Sequence, residues 1–393
     1  MAGSSAHVAA RKLRDRVLSL SAQLLEAALD DLALEGNAER VAGTDRTIQL
    51  AVIRLRSTSA DPGTPLFIGS GGPGGSNFDF LSKEVLAKGV DYTAMAAPIL
   101  ADRDIVRWSE RGTLFAKPFL DCPAYDAIDR GRAANGWARK ETDAQITSTL
   151  TACADAFKVQ GVDLAGYTTD QNAADIVDVK GALGYDTIDY YGQSYGTLLG
   201  QFLLRNHPEI VEAIVLDGIV PVDQTNYHQL VDMPAAFQRL YDACDAQATC
   251  KAQYPDLEQT VKQLVAKLDK DPLTVTVKAA DGTDQTLSLD SKFALDHLVT
   301  QLYGGGTNVP QAATAILRDP AKYAAELTPG AGSGTFARIQ HFAINCSDDP
   351  SSSMKQFKLQ KDPAYLRDFL YDDGIREVLA TGAAVGLAFD GDA

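Results

Sequence analysis

The sequence is poor in several residue types, and each shortage excludes a class of function. Lysine and arginine total 36 against 52 aspartate and glutamate, a formal net charge of −16, which argues against binding nucleic acid or an anionic membrane through a basic surface. No apolar run approaches the ~18 residues of a bilayer span. The five histidines are scattered and the five cysteines form no C-x-x-C pair, so the sequence predicts neither a metal site nor a cofactor.

Apolar residues are abundant enough for a folded core. They make up 45% of the 393 residues, which suits an ordinary globular protein built as one large domain with an insertion, or as two domains. The sequence leaves the oligomeric state open.

The most informative motif is the G-x-S-x-G pentapeptide Gly192–Gly196. The preceding Thr187–Tyr191 is β-branched and aromatic like a buried strand, and Thr197–Arg205 has apolar residues at helical spacing. A strand–turn–helix with this pentapeptide is how an α/β-hydrolase presents a nucleophilic serine, which would be Ser194. The five-residue pattern alone is common, so a chance match is the alternative reading, and the flanks argue against it.

A glycine-rich loop occurs where the serine motif predicts one. The apolar strand Pro65–Ile68 runs into Gly69–Ser76, and such a loop supplies one backbone N–H of an oxyanion hole. We predict that Gly72, or alternatively Gly71, provides it, and that the N–H of Tyr195 provides the other. A P-loop would need a Lys-Ser/Thr ending, which is absent; a plain flexible loop is the remaining alternative.

These motifs and several others occur in the order seen in one family. The chain resembles the tripeptidyl-aminopeptidase-like branch of the prolyl aminopeptidase family of α/β-hydrolases over roughly residues 46 to 350. The further matching stretches are Glu110–Thr113 with Pro118, Leu120 and Cys122-Pro123, Tyr167–Thr169 with Asp175, Tyr190–Thr197, Val215–Gly218, Cys244 and Cys250 before Tyr254-Pro255, and Ala343–Cys346.

The resemblance implies an α/β fold in which a mostly parallel sheet carries a helical cap inserted after the sixth strand. The predicted organisation is an N-terminal helical extension over 1–45, with Met1–Leu34 as an amphipathic helix, a hydrolase core over 46–221, a cap (lid) over 222–342, and a return to the core over 343–393. Within the cap, Leu257–Leu268 reads as a helix, and Asp281-Gly282 as the turn of a short hairpin. A lid would exclude water and limit what enters.

The acid and histidine that should activate the serine are missing from their expected places. In the resembling family both follow the cap, yet no histidine occurs after Ala343. His341 is the only late histidine, and Asp217, at the end of the strand after the serine, is a candidate acid. The expectation is therefore a chain that lacks the C-terminal part of the domain, as a partial gene product or a shortened paralogue.

Two classes of function follow from the resemblance. One is an aminopeptidase-type serine hydrolase that cleaves peptides from a free amino terminus through an acyl-enzyme on Ser194, with Asp348 and Asp349 as candidates for binding the substrate amine. The other is an inactive fragment or paralogue without a base. An esterase acting on small esters would share the first site.

The cysteines bear on the compartment without deciding it. Cys244 and Cys250 are near enough in sequence to close a small loop, and Cys122 and Cys153 lie where the resembling family often has cysteines, which leaves Cys346 unpaired. Five reduced cysteines are the alternative. The family is largely exported, whereas no signal peptide is visible in this chain, so localisation stays open.

Overall fold

The computed structural model describes residues 32–40, 47–78, 92–137, 139–223, 228–278, 282–329 and 335–348. They divide into two compact units. The first takes in the described residues up to 122, those of 153–223 and those of 335–348; the second takes in those of 123–152 and 228–329.

A six-stranded sheet forms the centre of the first unit. Its strands are β1 (Leu32–Arg40), β2 (Thr47–Leu55), β3 (Gly63–Gly69), β4 (Arg103–Trp108), β5 (Ile188–Gln193) and β6 (Val211–Asp217). The order across the sheet is β1-β2-β4-β3-β5-β6. The two pairs that involve β2 are antiparallel and the other three are parallel. The predicted mostly parallel α/β sheet is confirmed.

Helices accompany the parallel strands of the first unit. The helices of the first unit are α1 (Tyr92–Leu100), the C-terminal part of α4 (Arg139–Val159), α5 (Thr169–Ala182), α6 (Tyr195–Asn206) and α13 (Arg338–Asp348). Helix α5 begins after Thr168, whose side chain accepts a hydrogen bond from Gln171 N, as an N-cap does. Its buried Ile176 and Val179 join Phe67 and Tyr190 of the sheet in one core.

The sequence-based prediction of helix at the N-terminus is wrong where the structure describes it. Leu32–Arg40 is a strand, paired antiparallel with β2 from Leu32 opposite Leu55 to Arg40 opposite Thr47. Gly36 and Asn37 are weak helix formers, and the edge of β2 supplies the backbone partners that a helix would otherwise have to provide. The rest of the predicted extension, 1–31 and 41–45, lies outside the described residues.

The second unit is mostly helical and has its own core. Its elements are α2 (Pro123–Asp126), α3 (Ile128–Asn135), the N-terminal part of α4, α7 (His228–Ala246), α8 (Ala248–Gln253), α9 (Leu257–Lys270), β7 (Leu273–Lys278), β8 (Asp284–Leu289), α10 (Ser291–Tyr303), α11 (Val309–Arg318) and α12 (Ala324–Leu327). Helix α9 buries Val261, Leu264 and Leu268 at helical spacing. The predicted hairpin is present, with Leu273 opposite Leu289.

The division into units differs from the predicted boundaries at two described stretches. Residues 335–342, which the sequence-based boundaries place in the cap, belong to the first unit. Residues 123–152, which the sequence-based boundaries place in the core, belong to the second unit. There Arg130 Nε donates to Gln285 Oε1 at 2.9 Å, and Arg132 bridges to Asp290 at 2.5 Å. These partners are more than 150 positions apart, so periodicity along the chain carries no sign of them. The function of the second unit as a lid stays a prediction.

Four of the five cysteines form disulfide bonds. Cys122 pairs with Cys153, and Cys244 with Cys250, whereas Cys346 takes part in no disulfide. Among the helices that the structure describes, none combines the length and the apolar character that a bilayer span requires.

Candidate functional site

Ser194 occupies the turn between β5 and α6. Strand β5 ends at Gln193 and helix α6 begins at Tyr195, so the serine is the single residue between them. Its backbone has φ 54° and ψ −120°, a conformation that side-chain-bearing residues rarely adopt. Such strain at a strand–helix turn is the geometry that presents a nucleophilic serine.

The two glycines of the pentapeptide are required by close backbone approach. A methyl group added to Gly192 would lie 2.2 Å from the carbonyl oxygen of Gly196, and one added to Gly196 would lie 2.6 Å from the carbonyl oxygen of Gly69. Both distances are far below van der Waals contact, so only glycine fits at either position. The pentapeptide therefore brings the turn against the end of β3.

Four hydrogen bonds hold the turn in place. Ser194 N donates to Asp217 O at 3.0 Å, which ties the serine to the end of the neighbouring strand β6. Thr197 Oγ1 donates to Ser194 O at 2.6 Å and accepts from Val220 N at 2.8 Å. Tyr190 Oη donates to Gly196 O at 2.8 Å. Thr197 and Tyr190 were not predicted as site residues, although both lie within the motif that carried the resemblance.

The side chain of Tyr195 anchors the residue after the serine. It is 1% exposed, and its Oη lies 2.9 Å from Thr169 Oγ1 and accepts from Asn172 Nδ2 at 2.9 Å. Burial raises the pKa of this phenol well above its ordinary value, so the group stays neutral. The backbone N–H of Tyr195 is thereby carried on a fixed residue.

The glycine-rich loop reaches the serine through Gly71. A methyl group on Gly71 would lie 3.0 Å from Ser194 Cβ and 3.3 Å from Ser194 Oγ. Gly72 is next in the chain; it has φ 143°, and a methyl group there would meet Gly74 N and Gly75 N. The structure thus brings together Ser194, Tyr195 and the loop that contains Gly71 and Gly72. The roles of Gly72 and Tyr195 as oxyanion donors stay predictions.

Asp217 lies beside the turn and is engaged by a tyrosine. Its carboxylate Oδ2 accepts from Tyr191 Oη at 2.6 Å, and the residue is exposed. This bond is the first cause of a raised pKa at Tyr191. Because a triad acid orients a histidine, we note that no described histidine is bonded to Asp217.

Asp348 caps a helix, and Asp349 lies outside the described residues. Asp348 Oδ2 accepts from Thr169 N at 2.8 Å, in the first turn of α5. Burial raises the pKa of this carboxyl. Binding of a substrate amine by either aspartate stays a prediction.

In the described part of the chain, no histidine is bonded to Ser194 Oγ. His341 has both ring nitrogens engaged, by Pro73 O at 2.7 Å and by Asn345 Nδ2 at 3.0 Å. His207 lies at the far end of α6, 3.7 Å from Glu209. His297 belongs to α10 of the second unit. His7 falls outside the described residues.

A buried charge cluster lies behind the site. Arg111 and Asp175 both belong to the series of motifs that carries the family resemblance. They form an ion pair in which Arg111 Nε donates to Asp175 Oδ2 at 2.8 Å, and their side chains are 2% and 0% exposed. Glu110 is buried next to them, and burial raises the pKa of its carboxyl to about 8, with the charge of Asp175 adding to the effect. Glu110 is therefore protonated at neutral pH.

Comparison with known proteins agrees with this geometry. Residues 136–271, which include the whole serine turn, match the family model described as the alpha/beta hydrolase fold. The chain is 29% identical over 212 residues to the serine protease Hip1 of Mycobacterium tuberculosis, which is 51% of this chain and 38% of Hip1. It is 28% identical over 199 residues to a tripeptidyl aminopeptidase of Streptomyces lividans, 49% of this chain and 36% of that protein.

The chain thus matches well under half the length of these two curated relatives. Among solved structures, an epoxide hydrolase from an endophytic Streptomyces is similar with a TM-score of 0.28 at 14% identity, over 51% of this chain and 42% of that one. A TM-score this low supports no structural argument. The strand order and the family-model match together give this chain the α/β-hydrolase fold, with a serine protease and a tripeptidyl aminopeptidase as distant homologues.

Proposed function

We propose that this chain is a serine hydrolase with Ser194 as its nucleophile, acting on peptides with a free amino terminus. The observation that carries the proposal is the strained backbone of Ser194 between β5 and α6, with Gly71 packed against its side chain. The distant homology to a serine protease and a tripeptidyl aminopeptidase supports the choice of peptides over other substrates.

The reaction assigned to this site is acyl transfer. Ser194 Oγ forms a bond to the carbonyl carbon of the scissile amide, and the carbonyl oxygen becomes an anion that backbone N–H groups of Tyr195 and the glycine-rich loop would bind. The C–N bond then breaks, and the serine proton ends on the leaving amine. Water hydrolyses the acyl-serine in a second step that restores the hydroxyl.

The proton transfer is the weak step. A serine hydroxyl needs a base to remove its proton, and within the described residues Ser194 has no histidine partner. Loss of the base in a related triad lowers turnover by ~10⁶. The absence of a histidine partner within the described residues favours a second candidate, a chain that binds peptides without hydrolysing them. The experiment described next separates the two candidates.

The test is Ser194-dependent acylation with substrates that do not rely on a strong base. Tripeptide p-nitrophenyl esters with a free and with an acetylated amino terminus form a matched pair. We expect slow p-nitrophenol release from the free-amine ester, faster than from the acetylated one, and none above background with Ser194→Ala. Release equal in wild type and Ser194→Ala would reject the proposal and leave the binding candidate.

The same pair separates peptidase-type from esterase-type recognition. Equal release from both esters would mean that the site does not recognise the free amino terminus of the substrate. A small-ester esterase would then describe the site better. Asp348→Ala and Asp349→Ala then test the predicted amine contact, because loss of a recognising carboxylate should raise KM for the free-amine ester only.

A further inference from the structure

Helix α13 and the two residues that precede it contact the glycine-rich loop at three points. His341 Nδ1 lies 2.7 Å from Pro73 O, and Ala337 N donates to Gly74 O at 2.9 Å. The ring of Phe336 covers Gly74 so closely that a methyl group there would lie 2.9 Å from the ring. The loop that meets the serine is therefore held by helix α13 together with Phe336 and Ala337, which precede it.

The hydrogen-bond partners of His341 fix its tautomer. A carbonyl oxygen only accepts, so Nδ1 carries the proton and donates to Pro73 O. Nε2 is then the acceptor, and Asn345 Nδ2 donates to it at 3.0 Å. Burial lowers the pKa of this imidazole to about 4, against an opposing effect of the bond to Pro73. The imidazole is neutral and both of its nitrogens are hydrogen-bonded. It can therefore hold Pro73 in place, and it cannot also accept a proton from Ser194.

The loop connects His341 to the nucleophile within a few residues. Pro73 accepts from His341, and Gly71, two positions earlier, packs on Ser194 Cβ and Oγ. A shift of Pro73 would move Gly71 and Gly72 relative to Ser194. Oxyanion donors work only within a few tenths of an ångström of ~3 Å, and a displacement of about 1 Å can lower a rate about 100-fold.

We infer that His341 is a positioning residue, which holds the glycine-rich loop in register with Ser194 through its bond to Pro73. The inference rests on the proposed function, because it concerns the geometry of the same site. It assigns to His341 a role different from the catalytic base for which its late position in the chain made it a candidate.

Two substitutions separate positioning from simple packing. His341→Asn keeps an N–H donor near the position of Nδ1 but loses the acceptor for Asn345, whereas His341→Leu fills similar space and loses both bonds. Both variants should lose the stabilisation that the bond to Asn345 gives. Only the leucine variant also releases Pro73.

The first readout is the rate at which a fluorophosphonate labels Ser194. We expect His341→Leu to lower the second-order labelling rate by about tenfold or more, and His341→Asn to recover all but roughly threefold of it, as a retained donor should. With the free-amine tripeptide ester, the loss should fall on kcat and leave KM within about twofold, because the substrate pocket is not changed. Labelling of the His341→Leu variant at the wild-type rate would overturn the inference. So would an equal loss of labelling rate in the two variants.

The second readout does not depend on catalysis. Hydrogen–deuterium exchange of the segment 69–78 should accelerate in His341→Leu and remain near wild type in His341→Asn. If the wild type is labelled no faster than Ser194→Ala, the proposed function fails, and the exchange comparison alone then decides the role of His341. Equal exchange in the two variants would refute the positioning role whatever the labelling shows.

Discussion

At the scale of single residues, the site is defined by where side chains are absent as much as by where they are present. Gly192 and Gly196 are required because neighbouring carbonyl oxygens lie where their Cβ atoms would be. The sequence predicts these two glycines and Ser194 because a pentapeptide with its flanks is local information. It could not reveal the neutral state of Glu110 or the engagement of His341, since both depend on partners far along the chain.

Gly196→Ala should damage both fold and site. The added methyl group would lie 2.6 Å from Gly69 O, and backbone must move to admit it, which we expect to lower the free energy of unfolding by about 1–3 kcal/mol. Fluorophosphonate labelling of Ser194 should fall with it. Gly181→Ala is the matched control: nothing lies within 4 Å of its Cβ position, and alanine in that helix should be neutral or stabilise by about 0.5–1 kcal/mol. Urea unfolding of both variants measures the difference.

Glu110 should make stability fall as pH rises. Its pKa is about 8 in the folded chain against an ordinary 4.5. Below the lower value the carboxyl is protonated in both states and costs nothing; between the two values only the unfolded chain loses the proton, so stability is lost as pH rises through this window. Glu110→Gln should therefore gain stability relative to wild type from about pH 5 to about pH 8, by at most ~1.4 kcal/mol per pH unit.

The control for Glu110→Gln is the exposed Glu141→Gln in α4, which should show no such trend. Urea unfolding at a series of pH values measures both. A difference between Glu110→Gln and wild type that stays constant over the window would mean that Glu110 is ionised in the folded chain.

At the scale of elements, strand and helix identity followed from local patterns, and placement did not. The sequence predicts β3, β5, α6 and α9 to within a few residues at each end, because their apolar patterns are strong. It places a helix over Leu32–Arg40, where pairing with β2 overrides local propensity. Likewise, the attachment of α13 to the glycine-rich loop joins residues 268 positions apart, a contact that no single-sequence pattern encodes.

Asp348 links the end of α13 to the start of α5. Because its carboxylate accepts from Thr169 N, Asp348→Ala should leave that N–H unpaired and lower the free energy of unfolding by about 1 kcal/mol, as loss of a helix cap does. The neighbouring exposed Ser347→Ala should be close to wild type. Thermal unfolding of the two variants tests this, and equal melting temperatures would show that the contact contributes nothing.

At the scale of the whole molecule, two disulfides of very different span occur in separate units. Cys122–Cys153 closes 31 positions and Cys244–Cys250 closes 6. A cross-link restricts the unfolded chain more when its loop is longer, which corresponds to about 4 kcal/mol for the first and about 2 kcal/mol for the second in the chain-entropy model. The double serine variant at 122 and 153 should therefore unfold at lower urea than the one at 244 and 250. The reverse order would mean that native-state contacts outweigh loop length.

The position of Cys122–Cys153 has a consequence for how the chain tolerates being cut. The chain leaves the first unit at Cys122 and re-enters it at Cys153, and the two Cα atoms are 5.9 Å apart. Residues 122–153 thus form a covalent ring that the disulfide closes. A protease site engineered after Gly136, where α3 ends, should yield a nicked protein that runs as one species without reductant and separates into two on reduction. Backbone continuity through residues 123–152 is, on this view, dispensable for holding the six-stranded sheet and Ser194 in a single molecule.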